Sequence, residues 1–217
     1  MKFPETSQGE PLSLYMTDKP EQNPAFIHCG PLDDVDVGDR ARIFLGGSIE
    51  MGKAPDWQAA FADKIAFLPI ATFNPRRIHW DPNWKQDIKD KNLHHQIDWE
   101  MTNLEKVDLI ILYLHPNTIS PVSLLELGRF SQSGKLIVCC PEGYHRRGNV
   151  QYLCRKDNVL LLDDFDELVK TAIVKLEEIV KRKNLSALGH MWSFLTHVRD
   201  GIGLLYRGMA RRIVRRS

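Results

Sequence analysis

The chain has 217 residues, of which 43% are hydrophobic and 26% charged, and its formal net charge is +1. Those values suit a globular protein with one sizeable core plus an extension, and they exclude a low-complexity or fibrous chain. No apolar run approaches the roughly 18 to 20 residues that cross a bilayer, and Met1 to Glu10 lack the basic-then-apolar order of a secretion signal.

The expectation is a soluble, cytoplasmic protein. Cys29, Cys139, Cys140 and Cys154 have neither CxxC spacing nor the density of a disulfide scaffold, so they read as buried free thiols. The net charge conceals an asymmetry. From Lys181 onward there are nine Lys or Arg against Asp200 alone, leaving 20 basic and 27 acidic residues upstream, so the body carries about −7 and the tail about +8.

Residues 1–40 scatter Pro, Gly and Asp without a sustained period and read as an irregular extension. From Arg40, short apolar runs alternate with amphipathic segments, the pattern of a parallel sheet covered by helices on both faces. Ala41 to Leu45 is a first strand, ending at Gly46-Gly47-Ser48, and a helix follows around Asp56 to Lys64. Ala66 to Phe73 is a second strand, followed by a polar loop with Trp80 and Trp84 and by a helix from Lys89 to Leu104.

Asp108 to Leu114 is a third strand. Pro121 to Ser131 is the helix after it, with Pro121 at its first position and Ser120 as the cap whose hydroxyl accepts a free amide. Lys135 to Cys140 and Asn158 to Leu162 are the last strands, and a helix runs from Asp163-Asp164 to about Lys183. Five strands with intervening helices predict a flavodoxin-like, doubly wound α/β domain over residues 41–184, followed by a basic amphipathic helical tail over 185–217.

Several residues then fall on the strand edge where such sheets bind ligands. Glu126 lies among leucines, about two turns into the third helix, where an acidic residue is either a response to the helix dipole or a reactive group. Glu100 or Asp98, in Gln96-Ile97-Asp98-Trp99-Glu100, can reach the same edge. Two carboxylates flanking a glycosidic bond permit double displacement, one attacking the anomeric carbon and the other handling the leaving-group proton.

Gly46 and Gly47 allow backbone amides to approach a ligand and Ser48 adds a hydroxyl, although the pattern matches neither GxGxxG nor GxxxxGK[ST] and a plain tight turn is the simpler reading. Asn74 and Arg76 offer donors to a base, a hydroxyl or a phosphate, while Arg77 reads as a surface residue balancing the acidic body. Asn117 and His115 stand where they can line a pocket, and Ser48, Arg76 and Ser123 are candidates for holding a phosphate. His94-His95 with Asp98 lack a further ligand at metal-binding spacing and read as a solvated helix face.

The tail from His190 to Arg216 interleaves Trp192, Phe194, Leu195, Val198, Ile202 and Leu205 with arginines. It is suited first to the acidic body or a second subunit, next to an anionic membrane surface, which would place the protein peripherally there, and least to nucleic acid, for which no motif is present.

Taken in order, Ile43-Phe44-Leu45-Gly46-Gly47-Ser48, Asp56-Trp57, Asn74-Pro75-Arg76-Arg77, Gln96-Ile97-Asp98-Trp99-Glu100, Asp108 and Leu124-Leu125-Glu126-Leu127-Gly128 resemble the nucleoside 2-deoxyribosyltransferase-like family over roughly residues 41–155. The resemblance implies a flavodoxin-like fold, a homo-oligomer, no cofactor, and cleavage of an N-glycosidic bond with transfer of the sugar to another base or to water. It maps the family's nucleophile onto Glu126 and its proton-handling acid onto Glu100, where the better-studied transferases have Asp. Several of those enzymes also carry an Asp six residues before the nucleophile, where this chain has Ser120. A nucleoside 5′-monophosphate N-glycosidase and a non-catalytic nucleotide-binding module are the alternatives.

Overall fold

A computed structural model describes residues 21–77 and 84–188. Two compact units divide the chain, 1–179 and 180–217. The first is a six-stranded parallel sheet with strands β1 (Ile27–Cys29), β2 (Ala41–Gly47), β3 (Ile70–Phe73), β4 (Leu109–Tyr113), β5 (Leu136–Cys139) and β6 (Leu160–Leu162), in the order β1-β3-β2-β4-β5-β6. Its helices are α1 (Trp57–Ile65), α2 (Lys91–Lys106), α3 (Pro121–Phe130) and α4 (Arg147–Asp157), and a fifth helix, α5, over residues 165–188, begins in this unit and continues past residue 179.

Without β1, this is the doubly wound flavodoxin-like order, in which the chain leaves β2 for β3 on one side and returns across it to β4 on the other. The reversal lies between β2 and β4, paired from Ile43↔Leu109 to Gly47↔Tyr113. Their carboxyl ends open the crevice where ligands of such sheets bind.

The strands form because nearly every residue in them is apolar and buried on both faces. One face carries Phe44, Ala71, Phe73, Ile110, Leu112 and Val138, which pack with Leu104 of α2, Leu127 and Phe130 of α3, and Val150 and Cys154 of α4. On the other face, Tyr113 meets Trp57 of α1 at 5.3 Å and Phe165 of α5 at 5.3 Å between ring centroids. Each fully buried Leu or Phe contributes roughly 2 to 3 kcal/mol. All four cysteines are buried and free.

Local chemistry sets the helix ends. Asp56 caps α1 by accepting from the Ala59 amide, and Asp90 caps α2 by accepting from Asn92 and Leu93. Pro121 opens α3 as the sequence predicts, but the expected Ser120 cap is absent. Ser120 lies in the left-handed region at φ 45, and its hydroxyl turns away from the helix toward Ser48.

The N-terminal extension is also more ordered than its composition suggests. Ile27-His28-Cys29 pairs with Ala71-Thr72-Phe73 as the edge strand β1, a run too short between Pro24 and Pro31 to show a period. Helix α4, unassigned from sequence, buries only Val150 and Cys154, so its apolar stripe is a single i, i+4 pair.

No helix among the described residues is long and apolar enough to cross a membrane. The basic tail from His190 to Arg216, Trp80, and residues 1–20 lie outside the described residues.

Candidate active site

Glu126 is reached from two directions, the α3 helix that carries it and the β2 strand that it faces. On α3, Leu127 and Phe130 pack into the core and Leu125 is exposed, an arrangement that turns the adjoining Glu126 inward, where it is 8% exposed. A β-carbon built on Gly46 would lie 3.3 Å from Glu126 Oε2, so the absence of a side chain at Gly46 leaves the room this carboxylate occupies. No hydrogen bond reaches either Glu126 oxygen among the described residues.

Gly47 has a different reason to be glycine: at φ 139 its β-carbon would stand 2.2 Å from the Tyr113 carbonyl oxygen. It welds β2 to β4 and holds the end of β2 in place.

Glu100 approaches from α2. It stands one turn after Gln96 on the inward stripe of that helix, and Gln96 Nε2 donates to Glu100 Oε1 at 2.6 Å and to the Pro75 carbonyl at 3.3 Å. Gln96 Oε1 in turn accepts from Arg77 Nε at 2.8 Å, and the Arg77 guanidinium lies over the Trp84 ring at 4.6 Å. Arg77 Nη2 is buried without a hydrogen-bond partner. Trp99, on the same helix, packs on Phe44 and Phe73 and serves as wall.

The two carboxylates feel each other. Burial pushes the Glu126 carboxyl up to about 8, with the Glu100 charge adding to the effect. Burial also raises Glu100, but the Gln96 hydrogen bond and the Arg77 charge oppose that rise. Both groups hold protons more tightly than ordinary carboxyls do, and they titrate as a pair.

The other candidate residues divide sharply. Asn74 is buried, with Oδ1 accepting from the Arg76 amide, and it follows directly on β3. Ser123 is buried one turn before Glu126, on the same side of α3.

Arg76 is committed to the scaffold: its guanidinium donates to the carbonyls of Ala54 (2.7 Å) and Pro55 (3.0 Å) and to Gln58 Oε1 (3.2 Å), tying the loop after β3 to the loop after β2. Asp98 is exposed, since two residues along a helix from both Gln96 and Glu100 is the opposite face. His94 and His95 are exposed as well, and Asn117 is exposed at φ 63, its amide donating to the Gly143 carbonyl.

Ser48 lies at the centre of a buried knot and does not front the crevice. It is 0% exposed, its Oγ accepts from the His115 amide (2.9 Å) and from Ser120 Oγ (2.7 Å), and it stands 2.8 Å from Thr118 Oγ1. Thr118 donates to the His115 carbonyl at 2.7 Å, which leaves Ser48 as donor to Thr118. Glu50 completes the knot by accepting from the amides of Ile119 and Ser120, and the Ser120 amide bond is the leading cause that holds its carboxyl below the usual range.

Two residues at this edge have roles that the sequence does not announce. Arg77 faces inward while Arg76 faces the scaffold, because adjacent residues after Pro75 point in opposite directions. Glu50 meets Ser120 across 70 residues of chain.

A family model described as "Nucleoside 2-deoxyribosyltransferase like" matches residues 40–144, the segment that contains β2 through the loop after β5. Among solved structures, a chain described as "Crystal structure of conserved protein from Enterococcus faecalis V583" is 15% identical. The match covers 60% of this chain and 96% of that one, with a TM-score of 0.44. No curated protein matches.

Proposed function

We propose, from the match of residues 40–144 to the nucleoside 2-deoxyribosyltransferase-like model, that the protein cleaves the N-glycosidic bond of a nucleoside or deoxynucleoside through a covalent intermediate on Glu126. That match supports nucleoside glycosyl transfer or N-glycosidase chemistry in general. The observation that carries the finer reading is a buried carboxylate with no hydrogen-bond partner, facing the bare backbone of Gly46, with a second carboxylate in its field.

In the first half-reaction, a Glu126 oxygen forms a bond to C1′ as the C1′–N bond breaks, and the departing base takes its proton from Glu100. In the second, a free base or water gives a proton to Glu100 and attacks C1′, and the C1′–O bond to Glu126 breaks. Two inversions give net retention.

Gln96 keeps Glu100 aimed at the leaving group, Ser123 and Asn74 offer polar contacts within the crevice, and Trp84 with Arg77 provides a flat surface beside the acid.

The productive pair holds one proton, on Glu100; this is the minor one-proton arrangement of the free enzyme, because burial makes Glu126 the tighter proton holder while Gln96 and Arg77 favour ionised Glu100. Gaining a second proton caps the nucleophile and losing the last removes the acid, so kcat/KM follows a bell whose alkaline limb lies near pH 8. The test is incubation with a panel of nucleosides, with and without a second free base, followed by chromatography of free and exchanged bases. Intact-protein mass after rapid quenching should show a sugar adduct that Glu126→Ala lacks. Turnover that survives this substitution in folded protein would overturn the assignment.

A further inference from the structure

The Arg77 guanidinium has one face covered and one edge bare. Its Nε donates to Gln96 Oε1 at 2.8 Å and its plane lies over the Trp84 ring at 4.6 Å, while its Nη2 is buried with no hydrogen-bond partner among the described residues. A buried N–H on a charged group is costly to leave unpaired, and a ligand that brings an acceptor removes that cost. Glu100 does not meet this need, because the Gln96 amide stands between the two side chains, donating to Glu100 Oε1 at 2.6 Å and accepting from Arg77 on its other side. Gln96 is itself buried and donates to the Pro75 carbonyl as well, so the acid and the bare N–H edge are held one amide group apart.

That spacing suits one edge of a purine. A purine linked through N9 takes its leaving-group proton at N7, and the substituent on C6 adjoins N7 on the same edge. In guanine and hypoxanthine the substituent is a carbonyl oxygen, which accepts; in adenine it is an amino group, which donates. With N7 at the Glu100 proton, the C6 substituent meets the bare edge of Arg77. An oxygen there satisfies Nη2, whereas an amino group sets donor against donor and leaves both unpaired.

We infer that Arg77 selects the leaving base, favouring 6-oxopurines over 6-aminopurines. The inference rests on the reading that Glu100 protonates the departing base. Trp84 holds the guanidinium plane, so its N–H edge keeps one direction, and the fork of an arginine is shaped to meet an acceptor in that plane. A phosphate is a poorer occupant of the same nitrogens, because a carboxylate pair holding one proton keeps a negative charge beside them.

The experiment is calorimetric titration of wild type, Arg77→Lys and Arg77→Met with 2′-deoxyinosine, purine 2′-deoxyriboside and 2′-deoxyadenosine, which carry an oxygen, a hydrogen and an amino group at C6. Base release is followed in parallel, and Tm is recorded for each variant. Wild type should bind deoxyinosine at least about tenfold more tightly than deoxyadenosine, with the unsubstituted purine between them. Arg77→Met should bring that ratio to within about twofold, and Arg77→Lys, which keeps the charge and loses the fork, should leave an intermediate value. A merely structural arginine would weaken all three ligands alike and leave the ratio where it was. If Arg77→Met does not fold, the wild-type ratio and its narrowing in Arg77→Lys decide the matter.

An equal or reversed preference in wild type, a ratio unchanged by substitution, or no binding of any of the three compounds would overturn the inference. Preference for deoxyinosine without base release would support it while overturning the proposed reaction. Release of both bases alongside equal binding would overturn the inference and leave that reaction standing.

Discussion

Two polar clusters lie at the same sheet edge and are built on opposite principles. Around Ser48, Thr118, Ser120 and Glu50, the hydroxyl protons pass in a chain from one oxygen to the next and the carboxylate accepts two amides. Around Glu126 and Glu100, buried charge is left partly unmatched, with no hydrogen bond to Glu126 among the described residues and a bare nitrogen on Arg77. Buried polar groups that satisfy one another fix a shape, whereas groups left wanting partners store reactivity, since a substrate can supply what the protein withholds. The first cluster anchors the loop and helix that aim the second.

That contrast can be broken most severely at the reactive cluster. Glu126→Ala should lower base release by about 10,000-fold, because it removes the proposed nucleophile, and unchanged circular dichroism would show that the fold survives. Glu100→Gln should cost about 100- to 1,000-fold with ordinary substrates. The loss should be smaller for nucleosides whose base leaves without protonation, a comparison that steady-state kinetics can make.

The same cluster predicts a stability effect of opposite sign. A carboxyl raised from its usual 4.5 to about 8 binds its proton more tightly when folded, so stability falls as pH rises through that interval. Glu126→Gln should therefore stabilise the protein by roughly 3 kcal/mol at pH 8 and by much less at pH 5, as measured by denaturant melts at the two values. A gain that does not grow with pH would show that the carboxylate is not destabilised by burial.

Ser120→Ala is the smallest perturbation and strikes the satisfied cluster. It removes one link from the hydroxyl chain, and the expected loss is about 1 kcal/mol with kcat changed only through the placement of α3.

That Glu126 and Glu100 come to one sheet edge was legible from sequence because the signals are local. Glu126 interrupts a leucine-rich helix after an apolar strand, and Gln96 and Glu100 are one helical turn apart. The satisfied cluster was not legible, because it depends on backbone geometry at two left-handed residues, Glu50 and Ser120, that are far apart in the chain. Ser120 has the composition of a cap and, with the Ser48 oxygen 2.7 Å away, a different partner. The choice between Arg76 and Arg77 likewise turns on which way the chain leaves Pro75, which residue type does not encode. The doubly wound sheet was readable from its alternating runs; β1 was not, since three residues carry no period.

That small strand decides where the protein can be cut. His28 Nδ1 lies 2.8 Å from Thr72 Oγ1, and the Asn74 amide donates to the Cys29 carbonyl, so the segment before residue 41 shields the outer side of β3. A fragment trimmed to the apparent start of the sheet at Ala41 would expose the backbone of Ala71, Thr72 and Phe73, an apolar unpaired border that invites strands from other molecules. Trimming before Asn23 keeps that border sealed, and the two fragments should differ visibly in solubility.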